Sequence, residues 1–75
     1  MQELVKYIAQ TLVEHPEAVE VIRKDGADSV ILELHVASDD MGKVIGRQGR
    51  IAKAIRTVVK AATAKNEKPV FVEII

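Results

Sequence analysis

The sequence predicts an α+β domain, with three strands in one mixed sheet and three helices on one of its faces. Three observations carry this. Apolar residues recur at helical spacing near the start and again past residue 49. Residues 29–37 alternate as a half-buried strand does. An Asp-Gly pair sits between two β-rich runs, and a third β-rich run closes the chain.

The elements follow in order. Residues 2 to 14 place Leu4, Val5, Ile8, Leu12 and Val13 on one helix face. His15-Pro16 stops that helix, because a residue before proline avoids the α region. "AVEVIRK", 18 to 24, reads as a strand, and "KDGAD", 24 to 28, carries the Asp-Gly signal of a tight hairpin. In "SVILELHVA", Val30, Leu32, Leu34 and Val36 face one way, and Glu33 and His35 the other. Ile31 among the latter implies that the second face is partly covered. Ser38, Asp39 and Asp40 are helix N-cap residues for a short helix from Met41 to about Ile45, which Gly46 ends. A further helix runs from near Gly49 to about Lys65, with Asn66 and Pro69 as its punctuation. "VFVEII", 70 to 75, is the last strand. The order is α-β-β-α-α-β. A right-handed crossover makes the second and third strands parallel, beside an antiparallel hairpin.

The chain of 75 residues is one domain, 1–75, with no linker or repeat. It has no Cys, which suits a reducing cytoplasm. Its first residues do not read as a signal peptide, and no apolar run reaches the ~20 residues of a membrane span. The expectation is a soluble, cytoplasmic protein without a membrane partner.

A net charge of zero hides an asymmetry. Residues 1–40 hold nine acids against Lys6, Arg23 and Lys24, and residues 41–75 hold eight bases against Glu67 and Glu73. From Met41 to Asn66 there are seven bases and no acid. A solvated helix face is the simplest reading of a charge run. Solvated faces, however, mix signs, since opposite charges at i,i+4 stabilise a helix. A one-signed face points to a polyanion.

Two glycines sit beside that charge. Gly46 is accounted for as a helix C-terminal glycine. Gly49 is not, because Ser or Asp would cap the next helix better. A bare position there lets another backbone approach closely, and the free N–H groups of a helix start favour an anion. With Arg47 and Arg50 beside them, the two glycines describe a clamp for a sugar-phosphate backbone. A P-loop needs Gly-Lys-Ser/Thr, whereas Gly49 is followed by Arg50-Ile51, and the spacing Gly42, Gly46, Gly49 is not G-x-G-x-x-G.

"VIGRQGRIAKAI", 44 to 55, resembles the signature of the KH RNA-binding domain, (I/V)-I-G-x-x-G-x-x-I, at Val44, Ile45, Gly46 and Gly49. Ala52, with Ile51 beside it, stands for the last hydrophobic residue. The element order is similar to the type II, bacterial form of KH, and the length resembles the small bacterial KhpA family. The resemblance implies a groove for about four unpaired nucleotides of single-stranded RNA. Gly46, Arg47, Gln48 and Gly49 would meet phosphates, Ile45 would wall the bases, and strand 29–37 would supply the other edge. Lys43, Arg50 and Lys53 complete the implied RNA-binding set. Tyr7 and Phe71 are the only aromatics, so base-stacking platforms are not expected. The resemblance also implies self-association, pairing with a larger KH-containing RNA-binding protein, and a role as RNA chaperone or post-transcriptional regulator.

Nothing in the sequence points to catalysis, a cofactor or a metal. His15 and His35 show no ligand spacing, Asp39-Asp40 reads as capping, and Ser29 and Ser38 lack a neighbouring base. On the long second-half helix, Lys53, Arg56 and Lys60 share one side. Ile51, Ile55, Val59 and Ala62 form the expected core stripe, flanked by Ala54, Val58 and Ala61. That flank is either core packing or the contact of a homodimer. A dimerising interaction module, whose larger partner supplies most of the RNA affinity, is the alternative function.

Overall fold

Val5 and Ala9, one helical turn apart, are fully buried, and they fix the inward face of α1, Gln2–Leu12. The computed structural model describes residues 1–65 and 67–75; the expected punctuation at Asn66 lies outside them. Val13 is already extended, and Pro16 opens a single 3₁₀ turn, Pro16–Ala18. The turn holds the first strand back to β1, Glu20–Asp25, so it starts two residues later than the β-rich run does.

β1 pairs antiparallel with β2, Val30–His35, and β2 pairs parallel with β3, Val70–Ile74. The sheet order is β1-β2-β3. The mixed sheet and the expected order are both present. The hairpin differs in detail. Asp25 pairs with Val30, so four residues span the turn, which Gly26 closes by donating its N–H to the Ser29 carbonyl (2.8 Å).

Val30, Leu32 and Leu34 of β2 and Val72 of β3 point into the core. α1, α2 (Met41–Ile45) and α3 (Arg50–Ala62) lie over that face, contributing Val5, Ala9, Val44, Ile55 and Val59. Burying Leu32 and Leu34 completely supplies about 1.5–3 kcal/mol each. Among the described residues no helix lies over the other sheet face, where Ile22 and Phe71 are exposed. Register places Lys24 and Phe71 on either side of Ile31, which accounts for its half-burial without a covering element.

α3 ends at Ala62, about three residues short of expectation. Thr63 turns to extended backbone, its hydroxyl donating to the Val59 carbonyl and its N–H to the Lys60 carbonyl. The core stripe of α3 also shifts: Ala52, Ile55 and Val59 are buried, whereas Ala62 is exposed.

Candidate nucleic-acid interface

The turn between α2 and α3 is built on left-handed backbone. Gly46 has φ 76° and ψ 173°, a region open in practice only to glycine. Gln48 (φ 58°) and Gly49 (φ 74°) follow in the left-handed helical region. Gly46 is locked by its N–H to the Gly42 carbonyl (2.8 Å), and its own carbonyl accepts the Gly49 N–H (3.1 Å). The two glycines serve different ends. A Cβ on Gly46 would lie 2.6 Å from Cγ1 of Ile51, so α3 packs directly on it. A Cβ on Gly49 would meet nothing within 4 Å. Gly49 thus does have a conformational reason to be glycine, which the capping argument overlooked. It also leaves the start of α3 bare, and no side chain caps that end. Ile45, Arg47, Gln48 and Arg50 are exposed around it.

The sequence model described as "KhpA/KhpB, KH domain" matches residues 2–74, nearly the whole chain. The chain belongs to the KhpA/KhpB KH-domain family. It is 64% identical to the RNA-binding protein KhpA of Caldanaerobacter subterraneus subsp. tengcongensis and to that of Clostridium perfringens, each over 100% of both chains. The RNA-binding protein KhpA of Treponema pallidum is 46% identical, over 99% of this chain and 92% of its own length. No solved structure matches.

Within this KhpA/KhpB-type fold, the α2–α3 turn gathers Ile45, Gly46, Arg47, Gln48, Gly49 and Arg50, with Lys53 one turn along α3. Lys43 points elsewhere. Its ammonium lies 3.4 Å from the Asp40 carboxylate and 3.6 Å from that of Glu14. Asp40 is the buried charge among the described residues, and it does not cap α2. Instead its two oxygens accept the N–H of Glu14 (3.1 Å) and of His15 (3.0 Å), tying the end of α1 to the start of α2. Burial alone would raise the Asp40 pKa. The two N–H groups and Lys43 outweigh it, so the carboxyl titrates below its ordinary range.

The fold also brings His15 beside Asp39, Nε2 to carboxylate 3.1 Å, which raises the His15 pKa. Donor atoms of His15, Asp39 and Asp40 lie within 4.8 Å of one another, a grouping that their distant sequence positions concealed. Both Asp40 oxygens in it are already occupied by backbone N–H groups.

Strand 29–37 cannot offer an edge to a ligand, because β2 is central and bonded on both sides. The free edge near α3 belongs to β3. There Arg56 donates Nε–H to the Val72 carbonyl (3.2 Å). Beyond Arg56 a concavity of about 540 Å³ opens between α3, residues 63–69 and β3. Ala54, Val58 and Ala61 are all exposed, so the flanking stripe on α3 is not core. No helix of the described residues is long and apolar enough to cross a membrane.

Proposed function

We propose that this chain is a non-catalytic binder of unpaired RNA, gripping the sugar-phosphate backbone at Gly46–Gly49. One observation carries the reading: a turn of left-handed backbone exposes Arg47, Gln48 and an uncapped helix start, and Arg47, Arg50 and Lys53 meet no carboxylate within 4.0 Å among the described residues. Phosphate oxygens would supply the missing acceptors. Exposed Ile45 offers an apolar wall to a base. The relatives named RNA-binding protein KhpA support the same ligand class. A cytoplasmic RNA chaperone or post-transcriptional regulator, working alone or with a larger KH-containing protein, fits this chemistry.

Titration with unpaired RNA at several salt concentrations tests it. Neutralising about three or four phosphates gives a slope of log K against log salt of roughly −2 to −3. Salt-independent binding, or equal affinity for duplex, would refute the clamp.

A second reading rests on Val58, 43% exposed beside Ala54 and Ala61. We infer that this apolar strip is the contact of a homodimer, which presents two clamps from one particle. Sedimentation as a monomer at tens of micromolar would reject it.

A further inference from the structure

The two edges of the sheet are finished differently. On β3 the Val72 carbonyl accepts the charged Arg56 side chain. On β1 the one side chain bonded to the edge, among the described residues, is the neutral amide of Gln2, 3.3 Å from the Val21 carbonyl. The register shows which backbone groups this leaves bare. The Val30 N–H donates to the Pro69 carbonyl (2.9 Å), and the Leu34 carbonyl accepts the Ile75 N–H (3.0 Å). Val30, Leu32 and Leu34 thus turn their backbone groups toward β3. Their β1 partners Asp25, Arg23 and Val21 turn theirs the other way, to the free edge. Val21 packs against the core, so Glu20, Ile22 and Lys24 place their side chains on the opposite sheet face. The stretch Glu20-Val21-Ile22-Arg23-Lys24 is complementary to itself when a second copy runs antiparallel with Ile22 opposite Ile22. Glu20 then faces Lys24 of the second copy, and Lys24 faces its Glu20. The bare groups of Val21 meet those of Arg23, giving about four N–H···O=C bonds. Ile22, 37% exposed, meets its counterpart in a non-hydrogen-bonded pair, the kind that brings side chains closest. Glu20 has no cation within 4.0 Å among the described residues, and Lys24, already 2.9 Å from Glu33, comes to lie between two acids. Sliding the copies either way to the next register that matches bare groups loses both Glu20–Lys24 pairs, and one such slide sets Arg23 against Arg23.

We propose that β1 is a pairing edge, to which a second copy of this chain adds its own β1 antiparallel across Ile22. The two three-stranded sheets join into one continuous sheet. The Gln2 amide, exposed and at long hydrogen-bond distance, yields the Val21 carbonyl to the incoming N–H. This contact is separate from the α3 strip at Val58. β1 and β3 are opposite edges of the sheet, and Arg56 ties α3 to the β3 edge. A protein that used both contacts would assemble beyond a dimer.

Charge exchange in the Val58→Asp background, which lacks the strip, tests the pairing by sedimentation. Val58→Asp alone still forms dimers. Adding Glu20→Lys or Lys24→Glu weakens them at least about tenfold, because two like-charged pairs replace two opposite ones. Mixed in equal amounts, those two variants associate with each other, and Glu20→Lys/Lys24→Glu associates with itself. Circular dichroism checks that each variant is folded. A second measurement needs no substitution. In the wild-type protein, amide exchange at Val21 and Arg23 slows as concentration rises, while Ile22, bonded to β2 already, serves as the internal reference. Exchange at Val21 and Arg23 that ignores concentration overturns the pairing, and decides the matter if Val58→Asp does not fold. So does self-association that neither charge reversal weakens, or a loss in both that mixing fails to restore. A Val58→Asp protein that is folded and monomeric throughout would assign all association to the α3 strip. None of these readouts involves RNA, so their failure leaves the clamp untouched.

Discussion

The five-residue helix α2 has a polar group at each end, and the two ends are built in opposite ways. At its start Asp40 is fully buried, both oxygens are bonded, and Lys43 leans over it. At its end Gln48, between Gly46 and Gly49, holds a left-handed conformation on a surface where the cations meet no acid among the described residues. Both regions are charged, and both came from the same stretch of sequence. The difference shows how to tell a polar cluster that holds a fold together from one that awaits a ligand. In the first, donors and acceptors are already matched. In the second, the exposed cations have no matching carboxylate among the described residues, and Gln48 is held in left-handed backbone that a non-glycine residue adopts at a cost.

The contrast can be broken most sharply at the turn. Arg47→Asp/Gln48→Asp should lower RNA affinity by more than about 100-fold, since like-charge contacts cost several kcal/mol. Its circular dichroism and melting should stay near wild type, because both side chains are exposed. An unchanged affinity would remove the distinction drawn here.

Next come the two glycines. Gly46→Ala should cost about 1–3 kcal/mol from backbone strain, and more from the Ile51 clash. Gly49→Ala has open space, so only the left-handed conformation counts, at about 1–2 kcal/mol. Denaturant titration ranks them, and equal losses would show that Ile51 yields easily.

A smaller effect is expected at the other end of α2, and it depends on pH. The folded Asp40 carboxyl titrates below its unfolded value of about 3.9. Its contribution is therefore complete above that value and is lost as pH falls through the folded one. Asp40→Asn should melt lower than wild type at pH 7, and the gap should close on acidification. A gap that ignores pH would mean the charge itself is irrelevant. Least affected of all is RNA binding by Lys43→Ala, expected to change less than about twofold because its ammonium is engaged with Asp40 and Glu14. A large loss would return Lys43 to the RNA-binding set.

Much of this was legible in the sequence because it depends on local rules. Alternation fixed the buried side of β2, helical spacing found α1 and α3, and the glycine spacing located the turn. What escaped depends on contacts between distant residues. Asp40 resembles any N-cap until the end of α1 arrives beside it, 26 residues away in sequence from Glu14. Lys43 looks like one more cation in a basic run until the same contact forms. That strand 29–37 lacks a free edge follows only from sheet order. The Asp-Gly pair signalled the hairpin correctly but not its length, since the Gly26–Ser29 bond closes a wider turn. The exposed side of α3 was visible as a charge row, but the concavity at its end needs β3 in place.

The parallel pairing of β2 with β3 has a consequence during synthesis. β3 is made only after residues 36 to 69 have followed β2 in synthesis. At roughly 5–20 residues per second, that interval is about 2–7 s. Until β3 pairs with it, β2, carrying Leu32 and Leu34, has one bare strand edge. α1, β1 and β2 are complete by then but lack the strand that closes their sheet. The sheet is therefore most vulnerable between the pairing of its hairpin and the arrival of β3, which ends that exposure.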